Sequence, residues 1–247
     1  MARVSRSTTR TEIIQVACEL FFERGYSATS PKMIASALDI SPGNLTYHFP
    51  TKEHLLLVVV QMLCEFQWKL LGIEAEHGIE SVGSLCLETM TVAAACQENK
   101  IACDFFTATF QSKMCRDYLR NDHIKRAKRI FADKCSGWTD EDFVQAELLT
   151  MGIQYSVITA DDSILPLKIR IRGALEHILN IYGIDEKTRQ KEINSDIDGI
   201  VKGLKKLCGY AYEKGVEIWL ETHSELSTGK LCKRVKDMVD MPNLKII

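Results

Sequence analysis

The sequence predicts an all-α protein built from two helical domains. Apolar residues recur at spacings of three and four along almost all of its 247 residues, which is the period of an amphipathic helix. Only five prolines and fourteen glycines interrupt the pattern. No segment alternates apolar and polar residues long enough to indicate a sheet. A change near residue 55, from short helices to long apolar ones, predicts domains at 1–55 and 56–247.

The first domain is predicted to begin with a helix over residues 9–24. Ile13, Ala17 and Phe21 share one face of this helix, and Gly25 ends it. Ser30 followed by Pro31 predicts the start of a second helix, because a hydroxyl caps it and proline needs no N–H at the first position. Thr51 is predicted to cap a fourth, much longer helix that reaches about residue 71.

The stretch DISPGNLTYHF, residues 39–49, predicts a tight turn followed by a very short helix. Asp39 is expected in the left-handed conformation that ends the second helix, which Asp tolerates better than most residues. Ser41 is expected to accept a hydrogen bond from the backbone N–H of Asn44. Leu45 and Phe49, four residues apart, supply the inward face. The outward residues are then Gly43, Asn44, Thr46, Tyr47 and His48.

Two short helices joined by a tight turn form a helix-turn-helix, whose second helix enters the DNA major groove. Small residues at its start allow close approach to bases, and amide and hydroxyl groups hydrogen-bond base edges. Hydroxyl, imidazole and ammonium groups toward the flank of this helix are suited to phosphate oxygens. The predicted base contacts are Pro42, Gly43, Asn44 and Thr46; the predicted phosphate contacts are Ser30, Tyr47, His48 and Lys52. A basic N-terminal arm with Arg3, Arg6 and Arg10 is predicted to reach the minor groove, unless it is only a solvated tail.

The ordered residues Ala17, Phe21, Gly25–Tyr26, Ile34–Ala35, Ile40–Leu45, Tyr47–Phe49 and Lys52–Leu55 resemble the N-terminal domain of TetR-type bacterial regulators. Asp39 departs from the pattern, which usually has glycine there. The resemblance implies a homodimeric, one-component transcription factor, usually a repressor, released from a near-palindromic double-stranded DNA operator by a small molecule. It also implies that the second domain binds this effector and carries the dimer interface.

Further helices are predicted over residues 81–97, 101–116, 119–135, 140–159, 165–182 and 187–223. Thr139 and Asp142 resemble a capping box before the fourth of these. Two late stripes predict an intersubunit four-helix bundle, although they are equally able to cover the protomer's own core. Their residues are Ile171, Leu175, Ile178, Ile193, Ile197, Ile200 and Leu204. The tail 229–247 receives no functional assignment.

An effector pocket is predicted among the central helices, where aromatic walls mix with a few polar groups. Aromatic residues at helical spacing are also typical of an ordinary core, so both interpretations stay open. The predicted pocket residues are Cys103, Asp104, Phe106, Thr107, Phe110, Trp138, Met151 and Tyr155. The basic segment 113–134 is interpreted as a solvated helix face or as a supplementary DNA contact.

Composition narrows the remaining functions. A net charge of −2 does not by itself indicate a polyanion partner, and residues 1–54 hold six basic against five acidic residues. The longest apolar run, at 55–60, is too short to span a membrane, and the N-terminus lacks a signal-peptide core. Nine unpatterned cysteines indicate reduced thiols in a cytoplasm.

Two alternatives to a ligand-responsive regulator remain. A thiol-based redox sensor on the same scaffold would use Cys115 or Cys135, which lie beside basic residues. A helical enzyme, or a ligand-binding protein without DNA contacts, is the other. The sequence contains no phosphate loop, nucleophile elbow or HExxH motif, and no metal-ligand cluster, so we expect no enzymatic activity, no metal and no cofactor.

Overall fold

The computed structural model describes residues 6–76 and 81–193, which form helices and connecting turns with no strand among them. The helices are α1 Arg6–Arg24, α2 Pro31–Ala37, α3 Pro42–His48, α4 Lys52–Glu76, α5 Ser81–Glu98, α6 Lys100–Gln111, α7 Lys113–Ile130, α8 Asp140–Thr159, α9 Leu167–Ile181 and α10 Glu186–Ile193. The all-α prediction is confirmed for this part of the chain. The predicted helical residues 194–223 and the tail lie outside it.

Local capping chemistry sets several helix ends as the sequence predicts. The Ser30 hydroxyl accepts a hydrogen bond from the backbone N–H of Met33 at the start of α2. Thr139 and Asp142 form a reciprocal capping box at the start of α8. Gly25 ends α1 with φ +92°, a backbone conformation that glycine adopts at little cost.

The helix predicted over 101–116 is divided in the structure at Ser112. The backbone of Ser112 is extended (φ −71°, ψ 122°), and its hydroxyl accepts from the backbone N–H of Cys115 at 3.4 Å. This residue therefore ends α6 and caps α7. Apolar periodicity alone did not reveal the break, because a serine inside an apolar pattern is compatible with a continuous helix.

The first hydrophobic core joins the helix-turn-helix segment to part of the second domain. Ile13, Phe21 and Leu45 lie at its centre with the start of α4. The same cluster continues into side chains from α6, α7 and α8, including Phe105 and Met151. Because α4 also crosses residue 55 without a break, the boundary at 55 remains a prediction from sequence.

A second core lies among α5, α7, α8 and α9. The rings of Phe131 and Tyr182 stack at its centre, with centroids 4.0 Å apart. The turn from α8 to α9 is held by Arg170, whose guanidinium donates to the carbonyls of Val157, Ala160 and Leu165. The bonds to Val157 and Ala160 satisfy carbonyls that the end of α8 leaves without helical partners. Arg170 therefore fixes the turn between α8 and α9 at the edge of the second core.

Candidate nucleic-acid interface

The short helix α3 is anchored through its two buried apolar residues and its cap. Leu45 and Phe49 are almost fully buried in the first core. The Ser41 hydroxyl accepts from the backbone N–H of Asn44 at 3.1 Å, and Pro42 occupies the first turn. A helix of seven residues is not stable alone, so these contacts and the core determine its position.

The turn before α3 has the predicted left-handed residue. Asp39 has φ +51°, and among the described residues it is the only non-glycine with positive φ. The backbone N–H of Ile40 donates to the carbonyl of Ala35 at 3.0 Å. This bond satisfies a carbonyl at the end of α2 and directs the chain into α3. Asp in place of glycine thus leaves the helix-turn-helix geometry intact.

The outward face of α3 presents polar side chains to solvent. Asn44 and Thr46 are exposed, and the Tyr47 side chain is 63% exposed. The Thr46 hydroxyl donates back to the carbonyls of Pro42 and Gly43, at 3.0 and 3.1 Å, so its oxygen is left as an acceptor and its methyl group points away from those bonds. Base edges offer both hydrogen-bond donors and thymine methyl groups, which match these two features.

Lys52 is directed into the protein as well as toward the predicted interface. Its ammonium donates to the carbonyls of Tyr26 at 2.9 Å and Thr29 at 2.8 Å, and lies 4.0 Å from the centre of the Tyr26 ring. Burial lowers the pKa of Lys52, and the negative charge of Asp104 opposes this effect. Two of its three N–H donors are therefore used internally. The predicted phosphate contact remains a prediction that relies on the third.

The other two predicted phosphate contacts flank α2 and α3. Ser30 is half-buried and uses its hydroxyl as the α2 cap. The His48 ring is half-buried and lies edge-on to Tyr47, with centroids 5.3 Å apart. Ser30 lies at the N-terminal end of α2, where free backbone N–H groups favour a phosphate. His48 is the last residue of α3, so only its own ring would make the predicted contact.

The predicted basic arm is shorter than the sequence indicates. Helix α1 already begins at Arg6, so Arg6 and Arg10 are helical residues and not parts of an extended arm. The Arg10 guanidinium lies 4.9 Å from the centre of the Phe49 ring, beside the end of α3. Arg3 lies outside the described residues. The minor-groove contact stays a prediction; the structure changes it only in that Arg6 and Arg10 would make it from a helix.

The residues predicted as an effector pocket are divided between two hydrophobic clusters. Phe106, Phe110 and Met151 pack in the first core, whereas Trp138 packs on Phe143 and Tyr182 in the second. Tyr155 contacts Phe110 with ring centroids 5.7 Å apart. The thiol of Cys103 lies 3.6 Å from the carbonyl of Ile158 and 3.9 Å from the Thr107 hydroxyl. Most of these side chains therefore serve core packing.

Asp104 is the clearest departure from the predicted pocket. Its carboxylate accepts a hydrogen bond from the backbone N–H of Ser27 at 2.8 Å and another from the Ser27 hydroxyl. Asp104 thus binds the loop between α1 and α2 instead of facing a ligand. The partner of this half-buried carboxylate is a loop in the helix-turn-helix domain.

The structure contains a polar recess that the sequence did not reveal. It lies between α5, α7 and α8, and its polar lining includes Glu88, His123, Arg126 and Glu147. The segment 113–134 is not only a solvated or DNA-facing surface, because Arg126 is 4% exposed and pairs with Glu88. The buried polar residues of the recess come from three separate helices, so they form no contiguous sequence motif. The only sequence signal for the recess is a polar residue at an isolated position on an apolar helix face.

The predicted dimer stripe on α9 lies inside the protomer. Ile171, Leu175 and Ile178 are fully buried in the second core, and Ile193 at the end of α10 is 1% exposed. These side chains have no accessible surface for a partner subunit. The interpretation that they cover the protomer's own core is therefore correct for them. The remaining stripe residues, Ile197, Ile200 and Leu204, lie outside the described residues. Exposed apolar side chains occur instead on the outer faces of α8 and α9.

The described cysteines are poorly suited to redox sensing. Burial raises the pKa of Cys18, Cys64, Cys86 and Cys96 to about 12, and it also raises the pKa of Cys115 and Cys135. The Arg116 guanidinium next to Cys115 donates to the carbonyls that end α6. Reactive thiols need a lowered pKa and access. The redox alternative therefore lacks support among these six residues.

Neither a metal centre nor a membrane span appears in the described ranges. No group of three or more His, Cys, Asp or Glu residues within 6–76 and 81–193 is arranged to hold a metal ion. Within the same ranges, no helix combines the length and apolarity that crossing a bilayer requires.

The first core, the turn at Asp39 and the polar face of α3 define a helix-turn-helix domain on an all-helical scaffold. Residues 13–59 match the family model described as "Bacterial regulatory proteins, tetR family". The N-terminal segment is thus similar to that of tetR-family proteins. Curated relatives of this segment are transcriptional regulators.

Sequence relatives match the N-terminal part of the chain. The transcriptional regulator UidR of Escherichia coli K12 is 36% identical over 86 residues, which are 32% of this chain and 44% of UidR. The regulator QacR of Staphylococcus aureus is 41% identical over 63 residues, which are 24% of this chain and 34% of QacR. The matches thus span less than half of these relatives.

A structural relative extends the likeness beyond the N-terminal domain. RolR, solved in complex with its ligand resorcinol, aligns with a TM-score of 0.59 at 20% identity. The alignment covers 77% of this chain and 95% of RolR. At this identity the likeness concerns the fold alone.

Proposed function

We propose that the protein is a sequence-specific DNA-binding transcriptional regulator, acting as a repressor. The observation that carries the proposal is α3 itself, a seven-residue helix held by Leu45 and Phe49 with its whole outer face polar. A helix presented in this way fits the major groove. The regulators UidR and QacR share the same N-terminal segment, which supports this assignment.

The first turn of α3 is the part that would approach the bases. A Cβ at Gly43 would meet only the Ser41 hydroxyl, at 3.8 Å, so nothing inside the protein requires glycine there. Its small size instead leaves room for an external surface. Asn44 and Thr46 would read base edges, while Tyr47, His48 and the third donor of Lys52 would hold phosphates.

Electrostatic attraction in this domain is weak, because six basic residues face five acidic ones within residues 1–54. One short helix with so little positive charge provides limited affinity, and paired half-sites are the usual remedy. We therefore propose that the protein acts as a homodimer on a near-palindromic operator, with half-sites about one helical turn apart.

The outer faces of α8 and α9 offer the surface for this homodimer. Leu148 and Leu149 on α8 are 54% and 61% exposed, and Ile169 on α9 is 53% exposed. Added Cβ atoms at Gly152 and Gly173 on the same helices would meet nothing within 4 Å. Exposed apolar side chains beside small residues are typical of closely packed helix interfaces. A second copy of the chain would bury this surface.

A small-molecule effector would act by favouring a conformation that no longer fits two successive grooves. Helix α4 runs from Lys52, beside α3, to Glu76, and packs against α7. The Asp104–Ser27 contact links α6 to the same helix-turn-helix domain. Movement of α4 and α6 would therefore reach the reading helix, and disrupting packing around Leu63 should alter effector response more than operator contacts.

The proposal is tested by selecting duplexes from a random library with the full chain and footprinting the enriched sequence. We expect two inverted half-sites, with binding by a dimer in analytical ultracentrifugation. Leu148→Asp should convert the dimer to a monomer and abolish operator binding, whereas Asn121→Asp at an exposed position of α7 should not. Uniform, salt-labile binding without an enriched sequence, or a protomer that stays monomeric while binding, would contradict it.

A further inference from the structure

The loop between α1 and α2 is held by charged side chains from two different helices. Lys52, at the start of α4, donates to the carbonyls of Tyr26 at 2.9 Å and Thr29 at 2.8 Å. Asp104 on α6 accepts from the backbone N–H of Ser27 at 2.8 Å and from the hydroxyl of the same serine. The cation therefore faces loop carbonyls, and the anion faces a loop amide. Charge-assisted hydrogen bonds of this kind are stronger than bonds between neutral groups.

The loop itself is tied into one unit. Thr29 is 1% exposed, and its hydroxyl donates to the carbonyl of Gly25 at 2.8 Å and lies 3.0 Å from the carbonyl of Leu20. The next residue, Ser30, caps α2. Because the two ends of the loop are joined, a displacement at Ser27 reaches the first turn of α2.

Helix α2 conveys the position of the loop to α3. It packs against α1 and α3, and its buried residues Ile34 and Ala35 share the first core with Leu45 of α3. The carbonyl of Ala35 also accepts from the backbone N–H of Ile40, in the turn before α3. The orientation of α3 therefore depends on where the loop places α2.

Apolar packing holds α6 on α1 independently of Asp104. The rings of Phe22 and Phe105 lie with their centroids 5.5 Å apart, and Phe105 is 1% exposed. Loss of the Asp104 carboxylate would leave this packing in place. What the carboxylate adds is a directional bond, which is lost once donor and acceptor move about 1 Å beyond their normal distance.

The two charged groups belong to helices with different neighbours. Among the described residues, α4 packs most extensively against α7 and α6 against α5, whereas contact between α4 and α6 is slight. Lys52 moves with α4, and Asp104 moves with α6. The loop therefore keeps both sets of bonds only while α4 and α6 hold their relative position.

We propose that Asp104 is a positioning residue for DNA reading: through Ser27 it fixes the loop and thereby α2 and α3, and a shift of α6 relative to α4 releases them. This inference rests on the proposed function, because it names the contact that regulates the reading helix. A dimer binds an operator specifically only with both reading helices at a set separation, so a released helix incurs an ordering cost there. Nonspecific binding depends on phosphate contacts and does not need this register.

Binding of the full chain to the selected operator and to a scrambled duplex of equal length tests this role. Asp104→Ala should weaken operator binding about tenfold and change binding to the scrambled duplex by less than about twofold. A variant that is only less stable would lose affinity for both duplexes alike, because only its folded fraction changes. A ratio of the two affinities equal to that of the wild type would overturn the inference.

Asp104→Asn separates the contact from the charge. It removes the same negative charge as Asp104→Ala but keeps an oxygen that accepts from the Ser27 N–H through a weaker bond. Its ratio of affinities should lie between those of the wild type and Asp104→Ala, and a ratio as low as that of Asp104→Ala would overturn the inference. If Asp104→Ala does not fold, as judged by circular dichroism, Asp104→Asn decides, and a wild-type ratio in it is then the contrary result.

Amide hydrogen exchange tests the positioning without DNA. In Asp104→Ala, exchange in the loop, α2 and α3 should accelerate at least about fivefold more than exchange in α9, because only the helix-turn-helix segment loses its contact. Equal acceleration throughout the protein would indicate general destabilisation and would overturn the inference, as would unchanged exchange in α2 and α3.

The two measurements separate this inference from the proposed function. If exchange rises in α2 and α3 but selection enriches no duplex, the positioning contact stands and the DNA-binding function fails. If the wild type and Asp104→Ala bind a selected duplex with the same ratio of affinities, the function stands and the inference fails.

Discussion

The carboxylate of Asp104 on α6 holds Ser27, 77 residues earlier, through both the backbone N–H and the hydroxyl of that serine. The contact joins the second domain to the loop that precedes α2. A Cβ added at Gly25 would lie 2.9 Å from the same carboxylate, so this glycine also permits the approach. The Asp104 carboxylate therefore connects α6 to the loop between α1 and α2.

Asp104→Ala should lower the free energy of unfolding by about 1–3 kcal/mol, because it removes the acceptor for two hydrogen bonds. Urea denaturation followed by circular dichroism measures this difference. Exposed Asp133→Ala, between α7 and α8, is the matched control and should change little. Equal effects of the two substitutions would show that the Ser27 contact is not stabilising.

Gly25→Ala should destabilise the fold more than Gly183→Ala. Both glycines have positive φ, +92° and +68°, so both substitutions incur the left-handed strain of about 1–2 kcal/mol. Only at Gly25 does the new Cβ also meet the Asp104 carboxylate, whereas at Gly183 nothing lies within 4 Å. Thermal unfolding of the two variants side by side measures the difference. An equal loss would mean that Asp104 moves aside at no cost.

Lys52→Met should destabilise the helix-turn-helix domain by about 1–3 kcal/mol, because the carbonyls of Tyr26 and Thr29 lose a charged donor. Lys32→Met, an exposed lysine on α2, is the control for the loss of one positive charge. Unfolding in urea gives the stability, and affinity for the selected duplex gives the electrostatic part. If both variants keep full stability and lose affinity alike, Lys52 acts only on DNA.

Stability should depend on pH through His123. Burial disfavours the charged ring, but the Glu147 carboxylate outweighs it and raises the pKa of His123 above 6.5. The pair therefore stabilises the fold fully below about pH 6.5, and its contribution disappears as the pH rises through the folded-state pKa. The stability gap between wild type and His123→Gln should shrink from about pH 5.5 to about pH 8.5.

Denaturation curves at several pH values measure this gap, with His177→Gln on the exposed face of α9 as the control. The control gap should be small throughout. A His123→Gln gap that stays constant, or widens as the pH rises, would show that the ring is not held in its charged form by Glu147.

Asn44→Ala and Tyr47→Phe should affect DNA binding differently. Loss of a base contact relaxes preference at one position of each half-site and costs about 1–3 kcal/mol on the selected sequence, whereas loss of a phosphate contact weakens all duplexes alike. Titrations with the selected duplex and with single-base variants separate the two. Uniform weakening by Asn44→Ala would remove it from the base-reading residues.

The helix-turn-helix segment was largely readable from sequence, because its signals are local. Caps at Ser30 and Ser41, the left-handed residue Asp39 and the anchors Leu45 and Phe49 act within a few residues of one another. Hydrogen bonds over three or four residues depend little on the rest of the chain. The limits of α8 were predicted for the same reason, from the Thr139–Asp142 box.

The helical class, the turn before α3 and the polar face of that helix follow from local sequence signals. Tertiary packing instead sets which apolar stripe faces inward, joins Asp104 to Ser27, and brings Glu147 and His123 together in a recess. Helical periodicity shows that a face is apolar but not what covers it. Contacts between residues far apart in the chain depend on how the helices pack, and no local pattern encodes that arrangement.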